Sequence, residues 1–206
     1  TKWLRGRGLV ALGLILLLGF GGWFWSRGAG AGETAAVIQL VVKKAPVEAR
    51  ASAAAAWTSV DHSMELAPGA QVRTGNGAEA EILWGDRGVT RLDTNTQITV
   101  EAMPADATQA TGVDIKLRLE AGRIWSRMMK LLDIQSSFDV ETRDVVATVR
   151  GTAFGVAVNA RATEAAVTRS VVDLHSKDNV RSTLLREGEW GSFDGKGAPT
   201  MVRPLL

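Results

Sequence analysis

The chain has 206 residues, 46% of them hydrophobic, enough for one sizeable core. Its formal charge of +2 hides an uneven split: residues 1–27 carry Lys2, Arg5, Arg7 and Arg27 and no acid, which leaves 20 basic against 22 acidic side chains in the remainder. That balance excludes the basic stripe that nucleic-acid binding requires, and the absence of cysteine excludes disulfides, thiolate nucleophiles and thiolate-bound metals.

The first element is Gly8 to Trp25, 18 residues without a charge. As a helix rising ~1.5 Å per residue it reaches roughly 27 Å, about the thickness of a bilayer core. Basic residues precede it, so residues 1–7 are expected in the cytoplasm, residues 8–25 in the lipid bilayer, and the main domain in the periplasm or at the cell exterior. A cleaved leader fits less well, because its apolar region is shorter and rarely ends in Trp-Phe-Trp. Trp23 and Trp25 suit an interface, while Gly13, Gly19, Gly21 and Gly22 let a neighbouring helix approach without the Gly-x-x-x-Gly spacing of a symmetric dimer. Residues 26–36, rich in Gly and Ala, read as a tether.

Residues 37–193 carry the pattern of an all-β domain. Val37–Val42 is a β-branched run. Ala78, Ala80, Ile82 and Trp84, then Val113, Ile115, Leu117 and Leu119, then Phe154, Val156 and Val158 alternate with polar or small residues, which turns one apolar face inward. Gly75-Asn76-Gly77 and Gly85-Asp86-Arg87-Gly88 separate strands. Met128, Leu131 and Leu132 offer the one helix-like turn of this region. Leu-x-x-Gly recurs at Leu66/Gly69, Leu119/Gly122 and Leu185/Gly188, each time ahead of a β segment, so each glycine is expected at a tight corner with positive φ. Residues 194–206 form a tail in which Pro199 and Pro204 discourage regular structure. There Met201, Val202, Leu205 and Leu206 are candidate partner contacts, the alternative being that the tail folds back on its own domain.

Catalytic chemistry finds little support. His62 and His175 are the only histidines and have no metal-ligand spacing. Asp61-His62-Ser63 holds triad residue types, but adjacent side chains diverge and cannot form the relay. No nucleophile elbow, phosphate loop or dinucleotide fingerprint occurs, so no catalytic residue and no cofactor is expected. The segment Val149-Arg150-Gly151-Thr152-x-Phe154 leads into a strand rather than a helix, which removes a phosphate-binding turn. Gly151 therefore reads as a bulge or corner, with Arg150 turned to a rim or to a carboxylate such as Asp139 or Asp144.

Taken in order, "LAPGAQVRTGNGAEAEILW", "LRLEAGRIWSR", "FDVETRDVVATVRGTAFGVAV" and "LLREGEW" resemble the FecR-domain family over roughly Val37 to Phe193. The repeated corners suggest a solenoid-like or sandwich-like winding, and the resemblance implies a periplasmic, all-β, solenoid-like domain held by one helix in the bacterial inner membrane and without catalytic residues. In its best-known members that domain relays the occupancy of an outer-membrane transporter to a cytoplasmic sigma factor. Three features depart from the pattern. About seven residues precede the apolar run, a short stretch follows Phe193, and "SVVDLHS" lacks the glycine usual near its start. On these grounds the expected function is a non-enzymatic scaffold subunit of a larger membrane complex (respiratory, photosynthetic, transport or envelope assembly), with integral membrane proteins as partners. The alternatives are a FecR-like transmembrane signalling regulator and a periplasmic glycan-binding or other ligand-binding module. For the last, Trp57, Trp84, Trp125 and Trp190 are candidate sugar platforms, against the more usual core packing of tryptophan.

Overall fold

Seventeen strands, most of them alternating buried and more exposed positions, make up a computed structural model that describes residues 38–102, 114–129, 137–194 and 199–205. These belong to the second of two compact units, Thr34–Leu206. Gly13, Gly19, Gly21, Gly22, Trp23 and Trp25 lie outside the described residues, as does Leu206. Among the described residues no helix is long and apolar enough to cross a membrane.

The strands form two sheets that share one long strand, β9 (Asp114–Met128). The front sheet runs β4 (Ser63–Leu66), β1 (Ile38–Lys44), β6 (Glu79–Trp84), β7 (Gly88–Leu92), the second half of β9, β12 (Ala153–Val158), β13 (Thr163–Arg169), β16 (Glu189–Phe193) and β17 (Pro199–Pro204). Every pairing in it is antiparallel. The back sheet runs β3 (Thr58–Ser59), β2 (Val47–Arg50), β5 (Gln71–Thr74), β8 (Gln97–Ala102), the first half of β9, β10 (Ser137–Glu141), β11 (Val145–Val149), β14 (Val171–Ser176) and β15 (Ser182–Arg186). Only β9 with β10 is parallel there. From β10 onward the chain lays one hairpin on the back sheet and the next on the front, which winds the domain as a sandwich.

The core lies between the sheets. Phe138 of the back sheet meets Trp84 and Phe154 of the front sheet edge-on, at centroid distances of 5.7 and 6.1 Å. The buried indole of Trp84 donates to Thr90 Oγ1 at 2.8 Å, and that hydroxyl lies 3.0 Å from Ser126 Oγ, so the polar handle of the largest core residue is satisfied.

The Leu-x-x-Gly repeats mark the places where the chain leaves one sheet for the other. Leu66, Leu119 and Leu185 are buried, and Gly69, Gly122 and Gly188 follow at φ of 89°, 88° and 80°. Gly122 interrupts β9 itself. Residues up to Ala121 pair in the back sheet and residues from Gly122 pair in the front sheet, while the inward positions change from Ile115, Leu117 and Leu119 to Ile124, Ser126 and Met128. The corner is crowded, because Thr96 Oγ1 accepts from Arg123 N and donates to Arg123 O, both at 3.0 Å.

Two expectations are corrected. Met128 ends a strand inside the core and is not part of a helical turn; Leu131 and Leu132 lie outside the described residues. The tail is not irregular from Pro199 to Pro204, for it forms edge strand β17 on β16. An edge tolerates proline, whose missing N–H can face away from the ladder, and here Pro199 and Pro204 are its terminal residues.

A Cβ on Gly122 would lie 2.4 Å from Thr96 Oγ1 and 2.7 Å from Asn95 O, whereas at Gly188 it would meet nothing within 4 Å. Gly188→Ala should therefore cost about 1–2 kcal/mol, the left-handed backbone penalty alone. Gly122→Ala should cost clearly more, about 3 kcal/mol or beyond. Denaturant unfolding of the full chain in detergent checks the order; equal losses would contradict the packing at Gly122.

Candidate functional site

The segment from Val149 to Phe154 joins the back sheet to the front. Val149 ends β11 inside the core, Arg150 turns to solvent, and Gly151 makes the corner at φ 95°. Thr152 is buried, and its hydroxyl donates to the carbonyl of Arg169. The Thr152 carbonyl accepts from Met128 N at 2.9 Å, and Phe154 then enters the core against Phe138. Alternating inward and outward residues on either side of a left-handed glycine thus explain why an arginine interrupts this run.

Around that corner lies a hollow of about 850 Å³ lined in part by Arg127, Arg150, Arg169 and Ser170. Among the described residues none of the three arginines makes an ion pair or side-chain hydrogen bond, and none of the hollow's lining residues is acidic. Glu187 approaches from outside it and accepts from Ser170 N at 3.3 Å. Of the two positions expected for Arg150 the rim is the one observed. Asp144 is buried and engaged elsewhere, accepting from Thr163 Oγ1 at 2.7 Å and pairing with Arg143 at 3.1 Å. Asp139 Oδ1 is buried without a partner.

The remaining motif positions are dispersed. Gly69, Gly122 and Gly188 stand at other sheet crossings, and Met201, Val202 and Leu205 remain partly exposed on or beside β17. His62 is exposed, and His175 Nε2 lies 3.4 Å from Asp173 Oδ2. Among the described residues no three His, Asp or Glu side chains gather as a metal site. Trp84 is core, whereas the guanidiniums of Arg50 and Arg73 each stack on Trp57, 4.5 and 4.3 Å from its ring centroid.

The family model for FecR protein matches residues 70–173, which contain the Gly122 and Gly151 corners. The chain belongs to the FecR family. Two crystal structures of a proposed anti-sigma factor from Parabacteroides distasonis share its fold, with TM-scores of 0.51 and 0.53 at 16% identity; each match covers 65% of this chain and 59% of the solved one. The chain thus spans about three fifths of the length of those solved chains. No curated protein matches it.

The FecR domain also accounts for the departure at "SVVDLHS". Ser170, between β13 on the front sheet and β14 on the back, stands at φ 70° where glycine would be at ease. The missing glycine is visible in the sequence, whereas the left-handed backbone that Ser170 must adopt there is not. The buried Thr142–Asp144–Thr163 cluster was also missed. Its signal is Thr142 two residues before an acid at the β10–β11 turn, where Thr142 Oγ1 accepts from Asp144 N and Val145 N.

Ser170→Gly should raise stability by about 0.5–1 kcal/mol, the relieved left-handed strain less the added freedom of the unfolded chain. Ser170→Val should lower it, and Arg150→Ala should change it by less than about 0.5 kcal/mol. Chemical denaturation of the three variants decides; no gain from Ser170→Gly would contradict the strain.

On the back sheet, Arg50 Nε donates to Gln71 at 2.7 Å, Gln71 to Thr99 at 3.0 Å, and Thr99 to Glu120 Oε1 at 2.5 Å. Burial pushes the Glu120 carboxyl above its usual range, although the Thr99 bond pulls it the other way, and Oε2 is left without a partner. A carboxyl whose folded pKa lies above its unfolded value takes up a proton on folding. Its stabilising contribution is complete below the unfolded pKa and is lost as pH rises through the folded one. Glu120→Gln should therefore stabilise the protein at pH 7 by about 1 kcal/mol, roughly 3 °C, and by much less near pH 4. Melting curves at the two pH values test this; an equal effect at both would remove the ionisation from the account.

Proposed function

We propose that the chain is the sensing part of a FecR-type membrane-anchored signalling regulator. Its β-domain lies in the periplasm, Gly8 to Trp25 anchors it in the inner membrane, and the N-terminal side faces the cytoplasm. The protein performs no catalysis; it changes the activity of a sigma-type transcription factor when a periplasmic partner docks. The observation that carries this reading is the FecR match centred on the sheet-crossing corners, together with a fold shared with a proposed anti-sigma factor. Those two findings support a regulator better than a scaffold subunit of a larger complex.

We assign the partner's docking to the hollow at the Gly151 corner. Arg127, Arg150 and Arg169 carry like charge with no partner of opposite sign among the described residues, so an acidic segment of a protein is the complementary ligand. Their exposure lets them change without disturbing the core.

Deleting the gene and overproducing the chain should shift a small set of transcripts in opposite directions, read by RNA sequencing. Replacing Arg127, Arg150 and Arg169 by Glu should weaken the response to the signal while leaving the melting temperature nearly unchanged. Unaltered transcripts in both strains, with the chain recovered stoichiometrically in a large membrane complex, would return the scaffold reading to first place.

A further inference from the structure

The outer face of the front sheet carries a row of residues in cross-strand register. Arg91 of β7 faces Trp125 of β9, Trp125 faces Gly155 of β12, Gly155 faces Ala166 of β13, Ala166 faces Trp190 of β16, and Trp190 faces Arg203 of β17. With strands ~4.8 Å apart, the four steps from Arg91 to Trp190 span roughly 19 Å.

The two tryptophans are held differently. A Cβ on Gly155 would lie 2.9, 3.0 and 3.1 Å from Cε2, Cδ2 and Cζ2 of Trp125. Near-equal distances to three ring atoms mean that the indole lies face down on Gly155, with its other face turned outward. Trp125 is 40% exposed, high for so large an apolar side chain. Trp190 stands under the guanidinium of Arg203, 4.6 Å from its ring centroid. Between them the floor is Gly155, Ala157 and Ala166, which leaves a trough.

A shallow hollow lies on each side of Trp125. One, about 210 Å³, runs over the small-residue floor to Trp190 and Leu205, with Arg123 and Glu164 at its rim. The other, about 260 Å³, is lined by Lys43, Glu81, Arg91 and Asp93 among others. Both are smaller than the sites of drug-sized ligands, about 300–1,000 Å³. Each mixes carboxylates, which accept hydrogen bonds, with cations that donate them. Glu81 is fixed between Arg91 at 2.9 Å and Lys43 at 3.4 Å.

From this arrangement we infer that the outer face of the front sheet binds a neutral oligosaccharide, with one sugar ring stacked on Trp125 and its neighbours seated in the hollows on either side. A pyranose has an apolar C–H face that suits an indole plate and an edge of hydroxyls that needs donors and acceptors together. A polyanion or polycation would meet like charge in either hollow. An apolar peptide would strand the ionised rim. Two hollows sharing one plate call for linked rings laid across the strands. The inference is independent of the regulator reading, because neither hollow beside Trp125 shares a lining residue with the one at the Gly151 corner, although Arg127 and Arg169 stand on the same sheet face.

The test is a titration of the full chain, in a detergent without a sugar headgroup, followed by tryptophan fluorescence. The probes are the β-1,4-linked tetramer of N-acetylglucosamine, cellotetraose and maltotetraose. At least one should give a saturable change, and its monomer should bind more weakly. Trp125→Ala should lower affinity roughly tenfold, the loss of one stacking contact, with Trp125→Phe intermediate and Trp57→Ala unchanged. Ala166→Arg, which fills the trough while leaving Trp125 in place, should likewise lower affinity, by roughly tenfold or more, and serves if Trp125→Ala fails to fold. No saturable binding of any probe would overturn the inference. So would affinity unchanged in a folded Trp125→Ala protein, or in Ala166→Arg.

Discussion

The fold depends on the chain turning from one sheet to the other without leaving buried backbone groups unpaired. A left-handed residue at the crossing meets this need, because positive φ redirects the strand within one residue and an adjacent buried side chain can still point inward. At Gly69 the corner N–H bonds to Val100 O at 2.7 Å, and at Gly188 to Val167 O at 2.8 Å, so the turn is tied into the neighbouring strands. Gly122, Gly151 and Ser170 take the same backbone form at three further crossings. The aromatic contacts between Phe138, Trp84 and Phe154 follow from these turns, since they join side chains from opposite sheets.

Much of this was legible in the residues. Leu-x-x-Gly announces a buried leucine and a left-handed corner, and both parts have local causes, the apolar period and the freedom of glycine. The same logic reached Gly151 from the break it makes in an apolar run. Local pattern could not show that the corners alternate between two sheets, because pairing of β11 with β14 or of β5 with β8 joins segments far apart in sequence. Met128 misled for a related reason. Two methionines and two leucines near a basic residue fit a helical turn equally well, and only the pairing of β9 with β7 and β12 settles the matter. The edge strand at Pro199–Pro204 was hidden by its prolines, whose bar on regular structure holds for a central strand and not for an edge.

The candidate site was legible in part. Sequence placed Arg150 outside the core and kept a pairing with Asp139 or Asp144 open; three dimensions added Arg127 and Arg169, which arrive from β9 and β13. Convergence of like charges from separate strands is a tertiary fact. It is also where the fold and the proposed function meet, because the turn that carries the chain between the sheets exposes the arginine that a partner would read.

The central claim is that the chain changes sheets at Gly151, so that Phe138 before the corner packs across the core against Phe154 after it. Nuclear Overhauser contacts among aromatic ring protons, in protein labelled at Phe and Trp, measure this directly. The account predicts contacts from the Phe138 ring to both Trp84 and Phe154. Contacts from Phe138 to neither ring would mean that Val145 to Val158 runs on within one sheet, and would contradict it.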